Sequence, residues 1–306
     1  MTLTRRTLMS RLGAGLALSA AAPLRVWSAV ETQLGTARIT SLSDGYLTLP
    51  ASFMFGPMPQ ADLPPLLERF GLQGDILKPD CNVTLLQVEG RNVLFDAGSG
   101  SAFQDSVGQL VDALDAVGLA PDDITDVIFT HAHPDHLWGV LDDFDDPLFA
   151  NARHMIGRAE RDYWLDPATV DAIGADRAAF AVGAARRLEA LEDLETFEDG
   201  DEILPGVAAV ATHGHTPGHM SFEIRSGSEA LMVVGDAIGN HHLAFARPDW
   251  PSGADQDLTA GAATRVALMD RLASEQMTMI GYHLPDGGMG RVERGEDGYR
   301  FVPLGG

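Results

Sequence analysis

The sequence has 306 residues, of which 45% are hydrophobic and 21% charged, and its formal net charge at pH 7 is −23. Apolar residues are too plentiful for an intrinsically disordered chain, so the composition predicts a soluble globular protein. The strongly acidic composition repels phosphate backbones, which disfavours nucleic acid as a partner. The single cysteine, Cys81, can form neither an internal disulfide nor a thiolate metal cluster.

The first 30 residues predict an export signal. Arg5 and Arg6 precede an uncharged, mildly apolar run of 13 residues between Arg11 and Arg25, and small residues follow it. This order is typical of a signal peptide, and the arginine pair indicates the twin-arginine route, with an amphipathic N-terminus as the alternative. The apolar run is too short to span a bilayer, so no stable membrane anchor is expected. We expect a periplasmic or secreted protein, with a charge of −27 once residues 1–30 are removed.

Residues 31–306 are expected to form a single domain, because no repeat and no Gly/Ser linker divides them. Residues 47–67 are apolar and proline-rich without periodicity, which predicts an ordered loop packed on the core or a lid over a pocket. The segments after it contain short β-rich or apolar runs that predict strands. These predicted strands cover residues 82–88, 91–95, 126–130, 207–212, 220–224, 230–234 and 277–281.

Apolar residues at helical spacing predict three helices among these strands. The first runs from a cap at Ser106 to a stop at Gly118, the second covers residues 176–194, and the third is capped by Thr259. Two strand-rich blocks, each followed by helix, predict an α+β fold in which two sheets pack face to face with helices outside. The third helix is expected to bury Ala262, Val266, Met269 and Ala273.

The strongest functional signal is the motif His-Ala-His-Pro-Asp-His at residues 131–136, directly after a predicted strand. His131 and His133 are two residues apart, so in an extended segment their side chains point the same way and can share one metal. Asp135 and His136 follow the proline turn and can reach a second metal nearby. Imidazole and carboxylate ligands without thiolate suit zinc, iron or manganese, and zinc is the default for hydrolysis.

Three later segments each place a further candidate ligand after a predicted strand. The motif His-Gly-His-Thr-Pro-Gly-His at residues 213–219 can supply one histidine to the first metal. Asp236 ends an apolar strand, where burying a carboxylate is costly unless a cation accompanies it. A position between two metals would satisfy both oxygens of Asp236. His283 follows the last predicted strand.

The order of these motifs resembles the metallo-β-lactamase superfamily over roughly residues 36–304. Asp96, in the segment Phe-Asp-Ala-Gly, is similar to the early acidic motif of that family. The segments at residues 41–45, 163–165 and 298–303 resemble the exported methyl parathion hydrolase and lactonase-like branch. The resemblance implies a four-layer αβ/βα sandwich with metals at the sheet edges.

The resemblance also implies a ligand set for two divalent metal ions, with zinc as the expected metal. Three groups follow from it: His131, His133 and His215 for the first ion; Asp135, His136 and His283 for the second; and Asp236 as the bridge. His215 is preferred because it is the first histidine of the His-Thr-Pro-Gly-His unit, the ligand position in the family.

The remaining histidines have other expected roles. His219 is expected to bond within its turn, and His213 to support the site or pack beside it. His154 is expected to be an ordinary, hydrogen-bonded histidine on a strand. His241 and His242 follow the bridging aspartate and either line the pocket or lie in a solvated loop.

The resemblance implies a hydrolase in which metal-bound hydroxide attacks an electrophilic carbonyl or phosphoryl centre, while Asp135 orients the nucleophile and takes its proton. Residues 47–58 and a set of apolar or aromatic side chains are the expected pocket walls. Such walls predict a neutral, hydrophobic small-molecule substrate: an ester, a lactone or an organophosphate triester. The predicted pocket residues are Phe53, Phe103, Trp164, His242 and Phe245.

Several alternatives stay open at this point. A thioester hydrolase or a mononuclear-iron sulfur dioxygenase would share the early ligands but use a cytosolic thiol cofactor. True β-lactamases of this fold lack the bridging aspartate, so Asp236 disfavours that activity. A nuclease is disfavoured by the acidic net charge. A non-catalytic metal-binding protein of this family would be expected to lack one of the ligands, and none is missing from this sequence. The identity of the metal and a homodimeric state are left open by the sequence.

Overall fold

The computed structural model describes residues 30–304, so the predicted export signal lies outside the described residues except for Val30. Most of the described chain belongs to two seven-stranded sheets and the helices that flank them. None of the helices within this part is both long and apolar enough to cross a membrane.

The elements alternate along the chain and are numbered in chain order. The strands are β1 (Val30–Leu34), β2 (Ala37–Tyr46), β3 (Leu49–Pro50), β4 (Ile76–Leu77), β5 (Asp80–Val88), β6 (Arg91–Phe95), β7 (Asp126–Phe129), β8 (Arg153–Gly157), β9 (Glu195–Phe197), β10 (Glu202–Leu204), β11 (Val207–Ala211), β12 (Met220–Ser226), β13 (Glu229–Gly235), β14 (Thr278–Gly281), β15 (Met289–Gly295) and β16 (Gly298–Pro303). The α-helices are α1 (Ala51–Phe55), α2 (Leu63–Arg69), α3 (Leu110–Ala116), α4 (Pro134–Leu137), α5 (Arg158–Leu165), α6 (Thr169–Ala172), α7 (Ala178–Ala190), α8 (Leu243–Ala246) and α9 (Leu258–Glu275).

Both sheets are mixed, and each contains at least one parallel pair of strands. The first sheet has the order β1-β2-β5-β6-β7-β8-β9 and is antiparallel as far as β6, then parallel. The second sheet has the order β10-β11-β12-β13-β14-β15-β16, and its one parallel pair is β13 with β14. Parallel strands bring their carboxyl ends to the same edge, which is where open sheets bind ligands.

The two sheets pack face to face through a shared apolar core. Ile39 and Ile128 of the first sheet lie in one cluster with Phe222 and Ile280 of the second. The rings of Phe95 and Phe222 are 5.2 Å apart, so aromatic contact joins the two sheets directly. This interface forms the two inner layers of the fold.

Helices cover the outer face of each sheet and complete four layers. Leu114 of α3 and Ala184 of α7 pack in one cluster with Leu94 of the first sheet. Met269 of α9 packs against Met232 of the second sheet. The α+β, four-layer arrangement expected from the sequence is therefore confirmed.

The structure corrects two of the predicted helix starts. α3 begins at Leu110, after Gln109, and not at a cap formed by Ser106. α9 is capped by Asp257, whose carboxylate accepts hydrogen bonds from the backbone nitrogens of Thr259 and Ala260. Thr259 therefore lies inside α9. Val266 is exposed, and the buried face consists of Gly261, Arg265, Leu268, Met269, Leu272 and Ala273.

Residues 47–67 contain β3, α1 and the start of α2, joined by turns, so the segment that was expected to be an ordered loop or a lid includes short helices. The short apolar helices escaped prediction because neither is long enough to show a helical period. Met54, Phe55 and Met58 are buried in a separate small core with Leu243 and Trp250. The segment is thus held against the second half of the chain.

Candidate metal centre

The candidate ligands follow the carboxyl ends of strands from both sheets, at one edge of the sandwich. The backbone nitrogen of Met220 in β12 donates to the carbonyl of Thr130, just after β7, at 2.9 Å. This bond ties the two sheets together where the ligands emerge. The ligands after β7 are His131, His133, Asp135 and His136; His215 follows β11, Asp236 follows β13, and His283 follows β14.

Three histidines form the first ligand set. Nε2 of His131 is 3.0 Å from Nδ1 of His133, and Nε2 of His215 is 2.8 Å from the same atom. One ring nitrogen from each side chain lies within 4.8 Å of the others, a convergence that fits one metal ion. Burial and the neighbouring histidines lower the pKa of His131 and of His133, so both rings are neutral, as metal ligands must be.

Two carboxylates and two histidines form the second set. Nε2 of His283 is 3.2 Å from Oδ2 of Asp135 and 3.2 Å from Oδ2 of Asp236. Nε2 of His136 is 3.4 Å from Oδ2 of Asp135. Burial opposes ionisation of Asp135, but the adjacent His136 and His283 outweigh it and lower the pKa of that carboxyl. The set therefore presents ionised oxygens to a cation.

Asp236 lies between the two sets. Its Oδ1 is 3.3 Å from Nε2 of His136 in the second set, and its Oδ2 is 3.3 Å from Nε2 of His215 in the first. Its Oδ2 is also 3.2 Å from Nε2 of His283, so this carboxylate reaches ligands of both sets, as a bridging ligand must.

Groups behind the rings orient several of the candidate ligands. Nδ1 of His136 is 2.7 Å from Oδ2 of Asp96, which also accepts a bond from the backbone nitrogen of Thr130 through its other oxygen. Nδ1 of His283 donates to the carbonyl of Asp80 at 2.7 Å. Such partners set the ring orientation and leave Nε2 facing the centre.

His219 lies outside both ligand sets. Its Nδ1 is 2.8 Å from the hydroxyl of Thr212, and its Nε2 accepts a hydrogen bond from the backbone nitrogen of Asp236 at 3.0 Å. His219 thus supports the strand end that carries Asp236. His213 is half-buried, and its carbonyl accepts a bond from the hydroxyl of Thr264 at 2.6 Å.

An apolar cavity of about 90 Å³ opens onto the candidate ligands. Phe53 and Phe103 line it, as the sequence predicted, together with Phe180. Arg177 is the one cationic side chain other than histidine among its described lining residues. Nη2 of Arg177 donates to the carbonyl of Gly253 at 2.7 Å, and its guanidinium carbon is 5.5 Å from the centre of the Phe53 ring.

The structure places three predicted pocket residues elsewhere. Trp164 is buried behind the centre, because its indole nitrogen donates to Glu160 while its ring packs on His133. Phe245 is buried against Phe301 in the core beneath the second sheet. His242 lines a neighbouring chamber of about 200 Å³, which shares His283 and Met54 with the first cavity.

Two further histidines differ in their surroundings. His154 is buried on β8, and its Nε2 has no hydrogen-bond partner within residues 30–304, so it is not the hydrogen-bonded histidine that was expected. Burial lowers the pKa of His154 to about 4. His241 is exposed and lines the same chamber as His242.

Sequence analysis missed three residues around the centre. Glu160 is completely buried behind the first set, and its only signal was an acid four residues before Trp164 in a helical segment. Asp255, paired with Arg265 at 3.2 Å, approaches Nδ1 of His215 at 3.6 Å. Arg177 carries no local signal, since its position depends on how α7 packs.

The donor atoms themselves indicate a cation at this centre. Within the described residues, Oδ2 of Asp135, Nε2 of His136 and Oδ1 of Asp236 are buried without hydrogen-bond partners. Buried polar atoms are normally satisfied, and these three face one another across the second set. Divalent ions bound by oxygen and imidazole would satisfy them, so the residues fit the metals that the resemblance implies.

Comparison with known proteins gives concordant matches. A profile of the metallo-beta-lactamase superfamily matches residues 78–274. An uncharacterised protein of Mycobacterium tuberculosis (strain H37Rv) is 27% identical over 209 residues, which cover 65% of this chain and 85% of that protein. The N-acyl homoserine lactonase AttM of Agrobacterium fabrum is 26% identical over 185 residues, which cover 58% of this chain and 64% of AttM.

Two solved structures are similar over most of the chain. The hydrolase AbOPH of the beta lactamase superfamily has a TM-score of 0.84 at 26% identity, covering 92% of this chain and 98% of its own. AidC, a dizinc quorum-quenching lactonase, has a TM-score of 0.85 at 26% identity, covering 91% of this chain and 98% of its own.

Proposed function

Because this chain belongs to the metallo-beta-lactamase superfamily and is a metal-dependent hydrolase, we propose that it cleaves neutral, hydrophobic esters or lactones. The centre would hold two divalent ions, with zinc as the expected metal. The observation that carries this proposal is the position of Asp236 between two ligand sets, beneath an apolar cavity.

Two divalent ions held there would supply Lewis-acid activation of water and of the substrate carbonyl. The protein supplies the rest. Phe53, Phe103 and Phe180 would hold the substrate and keep water away from it. Oδ2 of Asp135, buried and without a hydrogen-bond partner among the described residues, would accept the proton of the attacking water.

The cavity also favours a particular polarity of substrate. Its walls are mainly apolar, which disfavours substrates that are charged at the scissile group, such as phosphodiesters. Arg177 can donate to a carbonyl oxygen and also to the carboxylate that ester or lactone hydrolysis produces. The lactonases AttM and AidC, which are similar to this chain, support a lactone as the first substrate to test.

The test is a side-by-side measurement of turnover on an acyl lactone, an aryl ester, a neutral phosphotriester, a cephalosporin, a glutathione thioester and a phosphodiester. We expect the lactone or ester to be hydrolysed fastest and the phosphotriester more slowly. Chelation should abolish the activity, and added zinc should restore it. Highest turnover on one of the last three compounds would contradict the proposed substrate class.

We also propose that the protein is exported by the twin-arginine route. The support is the sequence around Arg5 and Arg6 alone. Replacing both arginines with lysine should retain the protein in the cytoplasm. Continued export of that variant would contradict the route, without bearing on the hydrolase activity.

A further inference from the structure

Glu160, near the start of α5, is a fully buried carboxylate without a cationic partner. Its exposed fraction is 0%, and within residues 30–304 its hydrogen-bond donors are all uncharged groups. A buried carboxylate is costly unless hydrogen bonds replace its lost hydration. The partners that replace the hydration of Glu160 therefore indicate why it lies there.

Four donors from three segments surround this carboxylate. Oε1 accepts from the backbone nitrogen of Ala132 at 3.0 Å and from the indole nitrogen of Trp164 at 2.6 Å. Oε2 accepts from the hydroxyl of Thr216 at 2.7 Å and from the backbone nitrogen of Gly218 at 2.9 Å. All four groups donate, so each oxygen must accept twice, as an ionised carboxylate does.

The loop around Gly218 is shaped to reach this carboxylate. A β-carbon on Gly218 would lie 2.1 Å from the backbone nitrogen of Glu160, closer than any real contact. Only glycine therefore allows the loop to pack against the start of α5. This accounts for the glycine of the His-Thr-Pro-Gly-His unit by a close backbone approach.

We infer that Glu160 is a positioning residue that joins the two loops carrying the first ligand set. Ala132 lies between His131 and His133, and Thr216 follows His215, so one carboxylate holds the backbone beside all three histidines. Among the described residues Glu160 has no hydrogen bond to a ligand ring and does not line the cavity, so it acts through these loops. The inference rests on the proposed two-ion site but not on the proposed substrate.

Apart from the shared Asp236, the ligands of the second set are held by groups other than Glu160. His136 is oriented by Asp96, and His283 by the carbonyl of Asp80. The hydroxyl of Tyr282 donates to the carbonyl of Asp135 at 2.5 Å. Loss of the Glu160 bonds should therefore affect the first ion selectively, which a general loss of stability would not do.

The experiment uses Glu160→Gln in the full chain. Glutamine replaces one oxygen with an NH₂ group that must face two of the four donors. Only the hydroxyl of Thr216 can turn and accept from it, so at least one of the four bonds is lost. Zinc titration of the metal-free protein against a competing chelator should show the first ion bound about 10- to 100-fold more weakly, the usual effect of losing such a support. The second ion should be unaffected, and ¹⁵N NMR of the histidine rings assigns each ion to its set.

A second readout needs no metal. In the metal-free protein, the backbone amides of Ala132 and Gly218 should exchange hydrogen faster in Glu160→Gln than in the unchanged chain. Glu192→Gln, the same chemical change on an exposed residue, is the matched control and should alter neither measurement. If Glu160→Gln does not fold, Thr216→Val removes a single donor with little change in shape and should give a smaller selective loss.

Equal affinity for both ions and unchanged amide exchange in the folded variant would overturn the inference. Equal weakening of both ions would also overturn it, because the effect would then be general. If the unchanged protein binds no metal, the proposed function fails, whereas the exchange of Ala132 and Gly218 still reports on the role of Glu160.

Discussion

At the scale of single residues, the two ligand sets differ in charge. The first contains imidazoles only, and burial lowers the pKa of His131 and His133. In the second, the carboxylates of Asp135 and Asp236 raise the pKa of His136 despite its burial. A protein without metal would therefore hold protons on the second set where a cation would otherwise lie. The metal affinity of the second set should therefore depend more strongly on pH than that of the first set.

Replacing His219 tests whether the ligands have been assigned correctly. His219→Ala should still bind two ions, since His219 supports the backbone nitrogen of Asp236 and belongs to neither set. Leaving that buried donor unpaired should cost about 1–3 kcal/mol of stability. Metal analysis and urea denaturation measure the two effects. His215→Ala should instead lose one ion, and the reverse pattern would exchange the roles of the two histidines.

The burial of His154 predicts a pH dependence of stability that does not involve the metal centre. Burial lowers its pKa from 6.5 to about 4, so the folded state binds fewer protons than the unfolded state between these values. The free energy of unfolding is not reduced by this group above pH 6.5, and it falls progressively as the pH is lowered toward 4. Relative to His154→Gln, the unchanged protein should lose about 3 kcal/mol more between pH 7 and pH 4. Urea denaturation of both metal-free proteins measures this difference, and parallel curves would contradict it.

At the scale of elements, local pattern was sufficient for some features and insufficient for others. The ligands at residues 131–136 were predictable because strand end, residue spacing and ligand chemistry all lie within one short segment. Glu160, Arg177 and the place of Phe180 in the cavity wall were not predictable, because their roles depend on how α5 and α7 pack against distant loops. Trp164 and Phe245 were misplaced for the same reason: an aromatic side chain in sequence does not reveal which side of a helix or strand is buried.

The position of α1 depends on a close contact with Gly253. The backbone nitrogen of Gly253 donates to the carbonyl of Met54 at 3.0 Å, and a β-carbon there would lie 1.6 Å from the carbonyl oxygen of Phe53. Gly253→Ala should displace α1 and with it the cavity wall. We expect KM for a hydrophobic ester to rise several-fold while both ions stay bound. Gly295→Ala, whose nearest contact would be 3.6 Å, is the control and should leave KM unchanged.

At the scale of the whole molecule, the candidate ligands come from both halves of the chain. The first sheet supplies residues 131–136, and the second supplies His215, Asp236 and His283. A metal ion bound by both groups would connect the two sheets across their shared edge. The bond from Met220 to Thr130 already joins them at this point. Metal binding and the packing of the two halves are therefore expected to be coupled.

This coupling predicts how stability responds to metal. An ion that binds only the folded state adds about 2.7 kcal/mol at a free concentration of 100 Kd. For a domain of this size, 1 kcal/mol changes Tm by about 2–4 °C, so each ion should raise Tm by roughly 5–10 °C. Calorimetry with zinc and with chelator measures the change. Asp236→Ala removes a carboxylate that lies beside both sets, so it should lose most of the response to zinc and all measurable hydrolysis. An Asp236→Ala protein that responds to zinc as the unchanged chain does would show that the ions do not share this carboxylate.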